Sequence, residues 1–310
     1  MTRLEPRGTN GVAAAVLLLA TALAGLVACG GSQPVATRAA ARPPASAPAQ
    51  SPPSGSPGAS PAPTASHTPV PATTGPVPAA AGPVVAAGWV GPIYAPGGHG
   101  YDVSYPQCSG GRLPVAAPFS IVGVTGGRGF SLNPCLRTQW QAAKGRRAVY
   151  FNSGYDPANA GRATPDCLSR SRYQDGGAPR QTAYAIGCSE AVYAVNAMNA
   201  AGVSRAAMIW LDVESSNRWD GSDLDMNRTA LQAEIDQLAA FGRLVGLYAT
   251  FAEWRGIVGD WSPAGVVADW VAGRQRQTAC AAQGFSGHPV WLVQELATWP
   301  LYGIDSDWSC

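Results

Sequence analysis

Eight short apolar runs, separated by helix-like stretches, constrain this chain more than any other feature. They are 100–105 (GYDVSY), 119–125 (FSIVGVT), 147–152 (RAVYFN), 206–213 (AAMIWLDV), 244–250 (LVGLYAT), 265–271 (GVVADWV), 289–295 (PVWLVQE) and 302–306 (YGIDS). Several are continuous rather than alternating, as strands covered on both faces are. Between them, 181–201 is alanine-rich and stops at Gly202, and 229–241 places Leu231, Ile235, Leu238 and Phe241 at helical spacing before Gly242. Shorter helices are expected near 137–144 and 252–259. Eight strands with interposed helices predict an α/β fold, a (β/α)8 TIM-type barrel with some helices missing or degenerate. A doubly wound open sheet is the alternative.

The rest of the 310-residue chain divides by composition. Residues 1–29 have a basic start (Arg3, Arg7), an apolar stretch from Val12 to Ala28, and then Leu26-Val27-Ala28-Cys29. This pattern resembles a bacterial lipoprotein signal peptide, which implies cleavage before Cys29 and lipidation of its sulfur. An uncleaved membrane anchor is the other reading of a stretch that long. Residues 30–87 are almost entirely Ala, Pro, Ser, Gly, Thr and Val. They hold too little large apolar surface to offset ordering entropy, so a disordered, semi-extended linker is expected. A single barrel domain is assigned to 88–310, a length that suits one α/β barrel.

Charge and cysteine content narrow the function. Setting aside the four arginines and one glutamate before residue 88 leaves 17 basic and 18 acidic side chains, with Lys144 the domain's lysine. Phosphate binding needs a concentrated positive field, so nucleic acid is not an expected partner. Besides Cys29 there are six cysteines, Cys108, Cys135, Cys167, Cys188, Cys280 and Cys310, which suggest three disulfides in an exported domain, with 15 pairings open. Scattered histidines and the lack of CxxC spacing give a metal site little to build on, so no cofactor is expected.

Acidic residues fall where strands end. Asp212 and Glu214 project to one face of the fourth run, about 6–7 Å apart. Asp102 sits in the first run and Asp305 in the last, and these runs are neighbours in a closed barrel. Four carboxyls at one barrel mouth form the kind of arrangement that separates proton affinities. The GGRG segment at 126–129 lacks the ending of a phosphate loop and reads as a tight turn. Asp223, Asp225, Asn227 and Glu234 mimic calcium-loop spacing. However, Arg228 replaces the required glycine, and a capped helix start is the better account.

These segments, in order, resemble the family 25 glycoside hydrolases, the Chalaropsis-type lysozymes. GYDVSYPQ, IWLDVE, LVGLYATFAEW, VADWVAG and WLVQEL followed by GIDSDW are similar to that family's strand signatures across 98–310. The likeness is greatest to exported actinobacterial glycoside hydrolase-like domains. The resemblance implies that Glu214 is a general acid and that Asp212 orients the substrate's 2-acetamido group or stabilises positive charge, with Asp102 and Asp305 flanking the sugar. It further implies that Tyr150, Asn152, Tyr248, Trp270 and Gln294 line a sugar cleft. For Tyr150 and Trp270, barrel packing is an equal alternative. The sequence departs from the family at GVTGGRG, where Val124 and Gly126 stand in place of a lysine and an acid, at Asn152, near a histidine's place, and in the stretched WLVQEL. The resemblance implies a monomer acting on cell-envelope glycan such as peptidoglycan, lipid-anchored outside the cytoplasmic membrane or secreted into the envelope. A barrel that binds glycan or an envelope protein without cleaving is the second expectation.

Overall fold

A computed structural model describes residues 91–109, 113–203, 205–298 and 304–310. The expected signal peptide, Cys29 and the linker lie outside the described residues. Eight strands close into a barrel in sequence order: β1 (His99–Val103), β2 (Phe119–Gly123), β3 (Arg146–Asn152), β4 (Ile209–Asp212), β5 (Val245–Ala249), β6 (Val266–Ala272), β7 (Val290–Thr298) and β8 (Asp305–Ser309). Six α-helices are found among the described residues: α1 (Leu136–Ala142), α2 (Pro165–Ser171), α3 (Gly177–Ala201), α4 (Leu224–Ala240), α5 (Phe251–Val258) and α6 (Arg276–Cys280). None of them is long and apolar enough to cross a membrane.

The fold departs from an ideal (β/α)8 barrel at its closure. Strands β1 to β7 pair in parallel, but β8 is antiparallel to both β7 and β1. Only residues 299–304 separate the two last strands. A parallel return needs a crossover of a dozen or more residues, so so short a link permits only a hairpin-like reversal. The last strand is accordingly Asp305–Ser309 rather than 302–306. Reversal also moves the beginning of β8, not its end, to the barrel mouth, and Asp305 arrives opposite Asp102.

Side-chain alternation divides the core into two shells. Phe119, Ile121, Ala148, Met208, Trp210, Ala268, Trp270 and Leu292 cluster in the barrel interior and plug it beneath the mouth. Val122, Val149, Phe151, Ile209, Leu211 and Leu247 project outward against α3, α4 and α5 through Val195, Met198, Leu231, Ile235 and Trp254. Helices α3 and α4 pack so closely that a Cβ on Gly187 would lie 2.0 Å from the Ala230 carbonyl oxygen. Asp223 caps α4 by accepting from the Asp225 N–H at 3.0 Å, as the capped-start reading expects. The 126–129 segment forms bends and a turn.

The six domain cysteines pair consecutively, as Cys108–Cys135, Cys167–Cys188 and Cys280–Cys310. The last bridge ties the end of β8's chain to α6, on the sector that has no crossover helix of its own among the described residues.

Candidate active site

Register brings the sequence-distant acids together. Asp102 pairs across the barrel seam with Asp305, Asn152 pairs with Asp212, Asp212 with Tyr248, and Tyr248 with Trp270. Each of these positions belongs to the inward-facing set, because residues two apart on a strand share a face. Asp102, Tyr150, Asp212, Glu214, Tyr248, Trp270, Gln294 and Asp305 line one cleft of about 240 Å³ at the mouth. Eight of the nine residues expected to be catalytic or sugar-binding are thus on its wall, drawn from seven strands or their ends.

The ninth, Asn152, stands behind that wall. Its Nδ2 donates to Asp212 Oδ2 at 2.5 Å, and its Oδ1 accepts from Thr125 Oγ1 at 2.6 Å. The Asn152 backbone N–H also donates to Thr125 Oγ1, at 3.0 Å. With its amide engaged on both sides, Asn152 is placed to orient Asp212. A second relay fixes the opposite wall: Tyr248 OH donates to Gln294 Oε1 at 2.6 Å, and Gln294 Nε2 donates to Asp102 Oδ2 at 2.8 Å. That order assigns the amide its orientation, since only the NH2 end can serve a carboxylate.

The segment after β4 is held by its own backbone contacts. Asn217 Nδ2 donates to the Asp212 carbonyl at 2.9 Å, and Trp219 Nε1 to the Glu214 carbonyl at 2.8 Å. Glu253 Oε1 accepts from both the N–H (3.0 Å) and the hydroxyl (2.9 Å) of Ser215. Trp270 is both a packing residue and part of the cleft wall. It packs edge-on against Trp210 (5.8 Å between ring centroids) and Tyr248 (4.5 Å), and it also lines the cleft. Tyr150 meets Trp270 at 6.3 Å and remains partly exposed.

Burial dominates the electrostatics. Desolvation, then the charge of Asp305, pushes Asp102 up to about 7. Desolvation, then Glu214 and Asp102, pushes Asp212 well above the usual carboxylate range. Desolvation and the neighbouring Glu253 raise Glu214, and desolvation raises Asp305. No lysine or arginine lines the cleft to offset this. Asp212 and Glu214 lie close enough to act on each other, and the charge of Glu214 is the largest contribution after burial to the raised proton affinity of Asp212. Glu253 behaves oppositely. Its burial raises it, but donors from Ser215 and Thr250 outweigh that and hold it below its ordinary value. It is therefore a fixed negative charge beside Glu214.

Two participants were not foreseen. Asp307, fully buried on β8, accepts from Trp270 Nε1 at 3.0 Å. Its signal was present, because it lies two residues beyond Asp305 and so on the same face. Glu253 forms a capping box with Thr250 at the start of α5, a pattern visible in the sequence as Thr-x-x-Glu. Chemically, the site offers protonated and ionised carboxyl groups across a small cleft with aromatic walls, the equipment needed to protonate a leaving oxygen and stabilise a developing cation.

Comparison with known proteins places the likeness on the same elements. The family described as "Lysozyme-like protein 1" matches residues 178–274. The "Lysozyme-like protein 5" of Caenorhabditis elegans is 35% identical over 65 residues, which cover 21% of this chain and 29% of that protein. The chain thus spans under a third of the length of the curated relative it matches. Among solved structures, the bacterial lysozyme from Streptomyces coelicolor has 18% identity and a TM-score of 0.45, with 69% of this chain and 92% of that one covered. A family GH25 lysozyme from Aspergillus fumigatus has 13% identity and a TM-score of 0.45, with 69% and 93% covered. At that identity and TM-score neither structure bears on function. The segment from α3 to β6, which contains Asp212 and Glu214, is similar to lysozyme-like proteins.

Proposed function

We propose that this protein is a glycoside hydrolase of the cell envelope that cleaves peptidoglycan or a related N-acetylated β-1,4 glycan by carboxylate general acid catalysis. The observation that carries this reading is the convergence of Asp102, Asp212, Glu214 and Asp305 on one aromatic-walled cleft without a counter-cation. Glycoside cleavage needs one carboxyl protonated and another ionised across the scissile bond, and unshielded burial supplies that split.

Glu214 protonates the glycosidic oxygen. It is less buried than Asp212 and lies at the mouth, and desolvation and Glu253 raise its proton affinity. Asp212, anchored by Asn152, accepts from the sugar's acetamido N–H or stabilises positive charge at the anomeric carbon. Asp102 and Asp305 accept from sugar hydroxyls on the opposite side, with Tyr248 and Trp270 as apolar walls. The three disulfides accord with an oxidising compartment. We read the chain, with the leader-like pattern of residues 1–29, as an exported protein tethered through Cys29, with 30–87 as a spacer and the 88–310 barrel acting as a monomer.

A second reading is a barrel that binds envelope glycan or protein with weak or no turnover. The cleft volume, about 240 Å³, favours it by lying below the roughly 300–1,000 Å³ of ordinary small-molecule sites. Incubating purified protein with peptidoglycan and chitin-type oligosaccharides, beside Glu214→Gln, separates the two. New reducing ends from wild type and not from the variant support hydrolysis. Glycan binding by both with no new ends leaves the second reading.

A further inference from the structure

Asp307 is a buried carboxyl that the proposed hydrolysis does not use. Pairing of β8 with β1 sets Asp307 opposite Gly100, one pleat deeper than the Asp305–Asp102 pair. Its Oδ1 accepts from Trp270 Nε1 at 3.0 Å. Its Oδ2 is sealed from solvent and receives no N–H or hydroxyl donor. On that face its diagonal neighbour across the β1–β8 seam is Asp102, whose carboxyl acts directly on it and whose own Oδ2 is already occupied by the Gln294 amide.

Two ionised carboxylates in contact inside a barrel repel strongly, so one of them must carry a proton. The surroundings decide which. Asp307 is fully buried with a single neutral donor, whereas Asp102 is 6% exposed, faces the cleft and accepts from Gln294. The remaining titratable groups around Asp307 are Asp305 on its own strand, Tyr248 on β5 and Tyr94 ahead of β1, and Glu214 acts on Asp102 from β4. None supplies a positive charge. We propose that Asp307 is a positioning residue that keeps this proton and donates a hydrogen bond from it to Asp102, fixing Asp102 as an ionised, acceptor-only group toward the sugar.

The directions of the shifts agree. Desolvation and the charge of Asp102 push Asp307 well above the usual range, while hydrogen bonds from Gln294 and Asp307 restrain Asp102 to about 7. Asp102 then ionises first, with Asp307 still protonated beneath it.

The inference rests on the hydrolase reading for its functional consequence, so the test has two readouts. In pH profiles of kcat/KM on soluble glycan, Asp307→Leu should lower activity at pH 6 by about tenfold or more and move the acid limb up by about one pH unit, the effect of losing one hydrogen bond to a charged group. Asp307→Asn, which keeps both a donor and an acceptor, should restore the acid limb and most of that activity. An Asn variant no better than Leu, or a Leu variant whose acid limb stays in place, overturns the proposal. If the wild type cleaves no glycan, the hydrolase reading fails by itself, and carboxyl-carbon NMR of the free protein decides the rest. The Asp102 resonance should titrate near 7 in wild type and at higher pH in Asp307→Leu, with Asp307 protonated throughout. Ionisation of Asp307 before Asp102 overturns the assignment.

Discussion

The cleft acids can be set beside a second group of buried carboxyls, Glu190 on α3 and Glu234 on α4. Both groups are desolvated, both contain hydrogen-bonded carboxyl pairs, and both have raised proton affinities, with Glu190 well above its ordinary value and Glu234 at about 7. Their surroundings differ. Glu190 Oε2 accepts from the Gly154 N–H at 3.2 Å, just after β3. Gly129 approaches so closely that a Cβ there would lie 2.0 Å from Glu190 Oε1. The pair therefore fastens the loops after β2 and β3 to the α3–α4 layer, and both side chains are buried. Elevated proton affinity accordingly marks burial in both places, and access to a cavity with converging walls separates a reacting site from a fastening.

The sharpest way to break this comparison is to remove the acid from each group. Glu214→Gln should reduce kcat on glycan by about 10²–10⁴-fold, the usual worth of a positioned general acid, while leaving the melting temperature nearly unchanged. Glu190→Gln and Glu234→Gln should do the reverse, altering stability and leaving kcat within about twofold. Comparable loss of kcat from either helix substitution would mean that the two groups act as one.

The pH dependence of stability gives the next largest effect. Asp102, Asp212, Glu214, Asp307, Glu190 and Glu234 all bind protons more tightly folded than unfolded. Each therefore contributes stability that is full below its unfolded pKa and is lost as pH rises through its folded pKa. Denaturant midpoints should fall from about pH 4.5 to pH 7 and beyond. Glu234→Gln should flatten that fall by on the order of 1–3 kcal/mol, since one pH unit of difference corresponds to about 1.36 kcal/mol. A midpoint that rises across the same interval would contradict the picture for both groups.

Legibility in the sequence followed the same division. Strands covered on both faces announced themselves as continuous apolar runs, and β1 through β7 appeared within a few residues of the expected ranges. The fourth run, 206–213, is trimmed to Ile209–Asp212. The last strand was displaced because its inward positions are Asp305 and Asp307, which interrupt the apolar signal. Its reversed direction was readable only from the length of the link before it. The cleft walls were legible because the motifs lie at strand ends that a closed barrel must bring together. For Asn152 the sequence did not show the bond to Asp212, since a strand-end amide facing inward can serve either a ligand or a neighbouring carboxylate. Glu190 was hidden within an alanine-rich helix, where a lone glutamate ordinarily faces water. Helix α2 was missed although Thr164 followed by Pro165 is a helix start, because its seven residues are too few to show a period.

Asn152→Ala probes the contact between the cleft and its backing. It removes the donor to Asp212 Oδ2 and leaves Thr125 Oγ1 without its acceptor. An orphaned buried polar group costs about 1–3 kcal/mol, so chemical denaturation should register a loss in that range. Activity should fall through kcat more than KM, because Asp212 loses its orientation while the cleft wall is intact. A change confined to KM would return Asn152 to the role of a sugar ligand.

The smallest effect is expected at Glu253, where the two kinds of carboxyl meet. Glu253 is ionised and serves as a fastening for Ser215 and Thr250, yet its charge reaches Glu214 and raises it. In Glu253→Gln the amide oxygen can still accept from Ser215, and the amide nitrogen can donate to Thr250 Oγ1 once that hydroxyl turns its proton away, but the Thr250 N–H, 3.4 Å from Oε2, loses its acceptor. The Thr250 hydroxyl still accepts from the N–H of position 253, so the loss should stay near the lower end of the roughly 0.5–2 kcal/mol of a lost cap. Removing the negative charge lowers the proton affinity of Glu214. Its protonated form is then lost at lower pH, and the alkaline limb of kcat should move down. Glu253 is half-buried, so solvent screens part of the interaction and the move should be a few tenths of a pH unit. Raising ionic strength should shrink the difference between wild type and variant, as screening requires. An alkaline limb that stays in place at low salt would reduce Glu253 to a helix cap, and a limb that moves upward would remove Glu214 from the acid's role.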